Sequence, residues 1–191
     1  AVMTEKHTFI PGNTNVYNKD YSSYSLEDVC LEMSTLGKGD IREPFIEVTY
    51  PDGCSTTDMV FDRAEIIQGK EEYDTLPGSY DDNGEVEQLV IYLKDRNYNL
   101  TLELHYYVYE KCDIITRSAK LVNSGNESVR LERLMSMQLD LNESDYELSF
   151  FNGAWAREMN RSRIPIRAGK YVNESVTGTS SNRANPFFMI G

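Results

Sequence analysis

Hydrophobic and polar residues alternate with a period of two along much of the chain. In the longest such run, from Tyr98 to Glu110, Leu102 and Leu104 point to one side of a strand while Glu103 and His105 point to the other. One face of this strand is expected to belong to the core, and the other to be wet or packed on a second layer. Shorter alternating runs end at Gly, Asn and Asp residues and cover residues 86–93, 114–122, 129–141 and 146–151.

Strands at a spacing of about ten residues, separated by turn-forming residues, are typical of an antiparallel sandwich. The sequence therefore predicts an all-β fold over residues 37–191, in which two antiparallel sheets pack face to face. Residues 45–50 and 57–62 flank the turn signal Pro51-Asp52-Gly53 and predict a β-hairpin.

Residues 1–36 precede the first predicted strand and are rich in Asn, Ser and Tyr. This composition predicts an N-terminal arm outside the core. The apolar spacing from Leu26 to Leu36 would suit a short helix at the end of the arm, capped by Ser25 and stopped at Gly37.

The charge of the chain excludes several classes of partner. The formal net charge is −12, whereas binding to nucleic acid or to an anionic membrane requires clustered Lys and Arg. No nucleic-acid or membrane partner is expected, and no apolar stretch is long enough to cross a bilayer. A neutral ligand such as a carbohydrate is compatible with the charge, and the 13 tyrosines favour strands and sugar contacts.

Residues suited to metal binding or catalysis are few. Cys30, Cys54 and Cys112 are odd in number and form no C-x-x-C pair, so they predict reduced thiols in a cytoplasmic protein rather than disulfides or zinc ligands. The segment Asp81-Asp82-Asn83-Gly84 lacks the later Glu of a calcium loop and is predicted to form a hairpin tip. His105 is predicted to be a strand-surface or interface residue rather than a base. No metal or cofactor is expected.

The single tryptophan, Trp155, lies between two alanines and is followed by Arg157 and Glu158. A flat indole beside polar groups suits an apolar sugar face, because the polar neighbours can bind the sugar hydroxyls. Several other motifs occur in a fixed order along the chain. They are Gly37-Lys38-Gly39-Asp40-Ile41-Arg42-Glu43-Pro44, Ile67-Gln68-Gly69-Lys70, Leu76-Pro77-Gly78-Ser79-Tyr80, Tyr109 to Ser118, Leu139-Asp140, Asp145-Tyr146-Glu147, Gly153 to Glu158, and Ser180-Ser181 with Asn185-Pro186-Phe187.

In this order and spacing the motifs resemble those of the N-terminal domain of glycoside hydrolase family 36 α-galactosidases, over most of the chain. The resemblance implies a β-supersandwich that precedes a (β/α)8 barrel, and the barrel carries both catalytic aspartates of a retaining mechanism. The chain ends at Gly191 before any barrel strand. It is therefore expected to be a fragment with no catalytic residue and no activity of its own, and to lack the family's first strands before Ala1.

The resemblance also implies one site residue. Trp155 corresponds to the tryptophan of the family's Gly-Ala-Trp motif, which contributes to the galactose pocket; the alternative is that it plugs the seam between sandwich and barrel. Arg157 and Glu158 are expected to form a structural ion pair at that seam. The apolar surface of the seam is expected to comprise Trp155, Ile164, Pro165, Phe187 and Phe188. The loop beside it is expected to be shaped by Ser180, Ser181, Asn185 and Pro186.

The complete protein is accordingly expected to be a cytoplasmic, homo-oligomeric α-galactosidase that hydrolyses melibiose-like or raffinose-like galactosides. The barrel downstream would be the partner of this chain. A stand-alone carbohydrate-binding β-sandwich without catalysis is the alternative, and it predicts an exposed cluster of aromatic and acidic residues.

Overall fold

The alternating runs of the sequence form β-strands in the computed structural model of the protein. The structure describes residues 30–38, 40, 42–73, 75–76, 78–141, 145–177 and 183–191. The chain divides into two compact units, residues 1–140 and residues 141–191. Within the described ranges the named strands pair only in antiparallel fashion and no α-helix is formed, which confirms the predicted all-β class. The same ranges contain no helix with the length and apolar character needed to cross a bilayer.

The described residues of the first unit form six strands in two sheets. Its strands are β1 (Ile46–Thr49), β2 (Met59–Gln68), β3 (Glu87–Asp95), β4 (Leu100–Tyr109), β5 (Ile114–Asn123) and β6 (Arg130–Leu134). One sheet has the order β2-β3-β4-β5, and the other pairs β1 with β6. A 3₁₀ turn, Glu110–Cys112, connects β4 to β5.

The core of the first unit forms where the β1 segment packs against β3 and β4. Phe45, Ile46 and Val48 are fully buried there and pack with Leu102 and Leu104. The predicted apolar face of β4 is therefore the core face. The opposite face of β4 is also covered, since His105 and Tyr107 are buried.

The predicted hairpin between residues 45–50 and 57–62 is wrong. The turn itself forms, because the Gly53 N–H donates to the Tyr50 carbonyl over 2.9 Å. After the turn, however, the chain joins the other sheet. The Asp95 carboxylate accepts hydrogen bonds from the Asp58 N–H (2.9 Å) and the Tyr50 hydroxyl (3.0 Å), so β2 begins beside the end of β3. Strand β1 pairs with β6 instead.

The short helix suggested for the end of the arm is not formed in its described part, residues 30–36. This segment is irregular, with bends at Glu32 and Met33, and Ser34 is bound to the start of β1. The Phe45 N–H donates to the Ser34 Oγ over 3.0 Å, and Thr35 forms an isolated parallel bridge with Ile46. Ser25 and the remainder of the suggested helix lie outside the described residues. The division into an arm (1–36) and a sandwich (37–191) stays a prediction.

In the second unit, residues 145–177 and 183–191 form one three-stranded antiparallel sheet. Its strands are β7 (Glu147–Ala154), β8 (Arg157–Pro165) and β9 (Ala184–Ile190), and β7 is central. Phe150 is buried and its ring lies 4.7 Å from that of Tyr171, while the ring of Phe151 stacks on that of Phe187 at 5.2 Å. These aromatic contacts hold the central strand against β9 and the segment before it.

The core packing of β4 predicts a large penalty for truncating Leu102, which is 0% exposed. Leu102→Ala should lower the free energy of unfolding by about 2–5 kcal/mol, because it removes buried methyl groups and leaves a cavity. Leu139→Ala is the matched control, since Leu139 is 60% exposed and its truncation should change stability by less than about 0.5 kcal/mol. Urea denaturation measures both, and equal losses would contradict this account of the core.

Burial also raises the pKa of the Tyr50, Tyr106 and Tyr107 phenols. In the unfolded chain these phenols ionise near pH 10, about the ordinary tyrosine value. Their contribution to stability is therefore complete below that pH and is lost as pH rises toward the raised folded-state pKa.

A pH titration of tyrosinate absorbance should thus show a late class of tyrosines that ionises together with the loss of the far-ultraviolet circular dichroism signal. In concentrated urea, the control, all 13 tyrosines should titrate together near pH 10, the ordinary value. Complete ionisation at that pH with the folded signal retained would show that the three phenols are not buried.

Candidate functional site

Trp155 occupies the tip of the hairpin that joins β7 to β8. Ala154 pairs with Arg157 across the hairpin, which leaves Trp155 and Ala156 as a two-residue turn. The register shifts by one residue between the pairs Asn152–Asn160 and Ala154–Arg157, so β8 carries one extra residue opposite Gly153, a bulge just after the turn. Gly153, Ala154 and Ala156 flank Trp155 in the sequence.

The turn requires a left-handed backbone at Ala156, whose φ is +59°. This conformation costs a non-glycine residue about 1–2 kcal/mol. The Glu158 side chain offsets the cost, because its Oε1 accepts a hydrogen bond of 2.8 Å from the Ala156 N–H. The Asn160 amide adds a second bond of 2.9 Å to the Arg157 carbonyl. Side-chain bonds therefore hold the tip of the hairpin in place.

The indole of Trp155 projects from this tip and is 89% exposed. A large aromatic side chain in water loses the free energy that burial would contribute, which makes Trp155 the candidate for contact with a partner surface or a ligand. The side chain can offer a flat apolar face and one N–H donor.

The predicted ion pair between Arg157 and Glu158 is not formed. Both residues are described, and neither contributes to an ion pair with the other. Adjacent residues of a strand point to opposite faces of the sheet, which separates their charged ends. Glu158 instead caps the turn. One sequence signal could have indicated the role of Glu158 in capping the turn. Glu158 lies two residues after a turn that contains neither glycine nor asparagine.

The other residues predicted beside Trp155 occupy the same sheet. Phe187 and Phe188 are exposed on β9, Pro165 is exposed at the end of β8, and Ile164 is half-buried. Asn185 is half-buried and its carbonyl accepts a hydrogen bond of 2.7 Å from the Asn173 amide. Pro186 is exposed. Ser180 and Ser181 lie outside the described residues.

Groups suited to metal binding or to acid-base chemistry do not converge. In the described part of the chain no three His, Cys, Asp or Glu side chains lie where they could share a metal ion. The three cysteines, all of them described, form no disulfide.

His105 is buried rather than at the strand surface, and its ring nitrogens contact Gln88 (2.8 Å) and Glu103 (3.2 Å). Asp81 accepts a hydrogen bond from the Glu85 N–H, which stabilises the turn at residues 81–84.

The antiparallel all-β fold agrees with the family comparison. The family model described as "Glycosyl hydrolase family 36 N-terminal domain" matches residues 2–191. The chain belongs to this family.

Relatives and solved structures are similar to this chain over nearly its whole length. Alpha-galactosidase AgaA from Geobacillus stearothermophilus is 36% identical over 88% of this chain and 23% of its own. The bifunctional alpha-galactosidase/sucrose kinase AgaSK from Mediterraneibacter gnavus is 32% identical over 99% of this chain and 20% of its own. The crystal structure of the α-galactosidase from Lactobacillus brevis matches with a TM-score of 0.87 at 34% identity, over 94% of this chain and 24% of its own.

A structure of AgaA in complex with stachyose matches with a TM-score of 0.85 at 34% identity, over 92% of this chain and 25% of its own. The 191-residue chain therefore spans about a quarter of the length of the relatives and structures that it matches.

The exposure of Trp155 can be measured by its fluorescence, because it is the only tryptophan. We expect emission at the wavelength of a hydrated indole, efficient quenching by acrylamide, and little change of the emission maximum when the chain unfolds in urea. Free N-acetyltryptophanamide is the reference for full exposure. A blue-shifted emission that moves to the red on unfolding would show that the indole is buried.

Proposed function

We propose that this chain is the N-terminal domain of a retaining α-galactosidase that hydrolyses terminal α-galactosides of the melibiose or raffinose type. Membership of the family and the similarity to AgaA and to the Lactobacillus brevis enzyme support the proposal. The AgaA structures with stachyose and with raffinose support the choice of substrate class. The catalytic acid and nucleophile would come from a barrel that follows this chain, and the domain alone would be inactive.

The observation that carries the role of this domain is the exposed indole of Trp155 on a braced hairpin tip. An indole packs well on the apolar face of a galactose ring, because that face presents C–H groups while the hydroxyls point outward. The Glu158 bond to the Ala156 N–H fixes the turn before substrate arrives, so binding would not have to order it. We therefore assign Trp155 to the wall of the galactose pocket.

The exposed apolar residues of the second unit suit a contact with the barrel. Phe187 and Phe188 on β9 expose aromatic surface that a neighbouring domain would remove from water. The absence of cysteine pairs, in a chain with three thiols, favours a cytoplasmic protein. A homo-oligomer of the complete protein is part of the same proposal.

The test uses the complete gene product that contains this chain. Wild type should hydrolyse a chromogenic α-galactoside, and the 191-residue chain alone should not. Trp155→Ala should lower kcat/KM by about 10- to 100-fold, because stacking and apolar contact with the sugar are lost. Trp155→Phe should recover part of the loss, since an aromatic face remains.

Ile66→Ala is the matched control, because Ile66 is 78% exposed on β2 of the first unit and its truncation should leave kcat/KM unchanged. An unchanged kcat/KM in Trp155→Ala would remove Trp155 from the pocket. A wild-type protein without activity on any α-galactoside would contradict the proposed reaction itself.

A further inference from the structure

A cleft of about 450 Å³ opens at one end of the first unit, where three turns meet. The turns follow β1 (Tyr50 to Asp52), join β3 to β4 (Asn97 to Asn99), and join β5 to β6 (Asn123 to Val129). Its size lies within the range of small-molecule sites, about 300–1,000 Å³. All residues of its lining belong to the described part of the chain.

An aromatic side chain fixed in one orientation forms one wall of the cleft. The ring of Tyr98 stacks on that of Tyr50, with centroids 3.6 Å apart and planes within 10°. The Tyr98 hydroxyl donates to the Asp52 carboxylate over 2.8 Å, and the other oxygen of that carboxylate accepts from the Cys54 N–H over 2.9 Å. Tyr50 is buried while Tyr98 is half-exposed. One face of the Tyr98 ring is therefore covered by Tyr50, which leaves the rest of the ring to the cleft.

The opposite wall is also fixed by hydrogen bonds within the turns. The Ser124 N–H donates to the Asn99 carbonyl over 2.9 Å, which joins two of the turns. The Asn123 amide donates to the Glu127 carbonyl over 2.8 Å, and its oxygen accepts from the Gly125 N–H over 3.0 Å. The cleft is thus shaped in advance, so a ligand would not have to order its walls.

Polar groups that face solvent line the rest of the cleft. Asn97, Asn99, Asn126 and Glu127 are exposed, and their side-chain amide and carboxylate groups form no hydrogen bond with another described residue. Each amide supplies donors and an acceptor, and the carboxylate supplies acceptors. These side chains can therefore form hydrogen bonds with ligand hydroxyls that donate and with ligand hydroxyls that accept.

The lining contains no Lys, Arg or His, while it contains Asp52 and Glu127. Phosphates, carboxylates and nucleotides are thus disfavoured, because an anion would meet negative charge without a cation to pair with. No cluster of three potential metal ligands lies in the described residues. A neutral ring that has hydroxyls at its edge and C–H groups on its face fits both the amides and the tyrosine.

We propose that this cleft is a binding site for a neutral saccharide of one or two pyranose units, formed by residues other than Trp155. The sugar packs its C–H face on Tyr98, and Asn97, Asn99, Asn126 and Glu127 bond to its hydroxyls. The site gives the domain a means of binding carbohydrate that does not depend on the proposed hydrolysis.

The test is an NMR titration of the ¹⁵N-labelled chain with melibiose, raffinose and maltose. Binding is measured by the changes in the backbone amide chemical shifts. At least one of these sugars should give saturable shifts confined to the three turns. Sorbitol, an acyclic polyol, should not, because it has no ring face to pack on the tyrosine. Asn126→Ala should weaken the affinity by about threefold to tenfold, the effect of one or two hydrogen bonds.

Asn83→Ala is the matched control, since Asn83 is an exposed amide on the turn between β2 and β3, and it should leave the affinity unchanged. Trp155→Ala should also leave it unchanged, which separates this site from the proposed galactose pocket. Tyr98→Phe should retain sugar binding. Tyr98→Leu should abolish sugar binding, and this variant is interpreted only if its NMR spectrum shows an intact fold. The proposal would be overturned if none of the three sugars gave saturable shifts. It would also be overturned if Asn126→Ala and a folded Tyr98→Leu both bound the sugar with the affinity of the wild-type chain.

Discussion

The first unit depends on the burial of β4 from both sides. On one face Leu102 and Leu104 pack with Phe45, Ile46 and Val48, and all of these side chains are withdrawn from water. On the other face the Tyr107 hydroxyl lies 2.8 Å from that of Tyr73, which also contacts Ser118 at 2.6 Å. Burial of apolar area supplies most of the free energy of such an arrangement, at about 25 cal/mol per Å². The turns at both ends of β4 are positioned as a consequence.

The period-two pattern predicted the central strands because one face of each is apolar, and β3 and β4 alternate in burial over much of their length, whereas β5 has no buried residue. Strand pairing was not predictable in the same way. The turn Pro51-Asp52-Gly53 looked like a hairpin, but the Asp95 carboxylate draws Asp58 to the end of β3. Such a contact between residues 37 positions apart leaves no local signal. Strand β8 is mostly exposed and polar, so alternation could not reveal it either.

The sequence singled out Trp155 as the candidate site residue, but it did not predict the conformation of the turn that carries it. The single tryptophan between small residues indicated a sugar contact, and the family resemblance gave it a role. Neither indicated that Ala156 is left-handed or that Glu158 holds the turn. The predicted pairing of Arg157 with Glu158 followed their adjacency in sequence, yet adjacency on a strand places side chains on opposite faces. The cleft at Tyr98 was also hidden, since its residues come from three separate turns.

The central claim is that the indole of Trp155 contacts the galactose ring of the substrate. Competitive inhibition of the proposed α-galactosidase, the complete gene product, by free galactose tests it directly, because galactose carries that ring and nothing else. The account predicts that Trp155→Ala raises the inhibition constant of galactose by the same factor as it lowers kcat/KM for melibiose. An inhibition constant equal to that of the wild type would contradict the claim and would assign Trp155 to packing between domains.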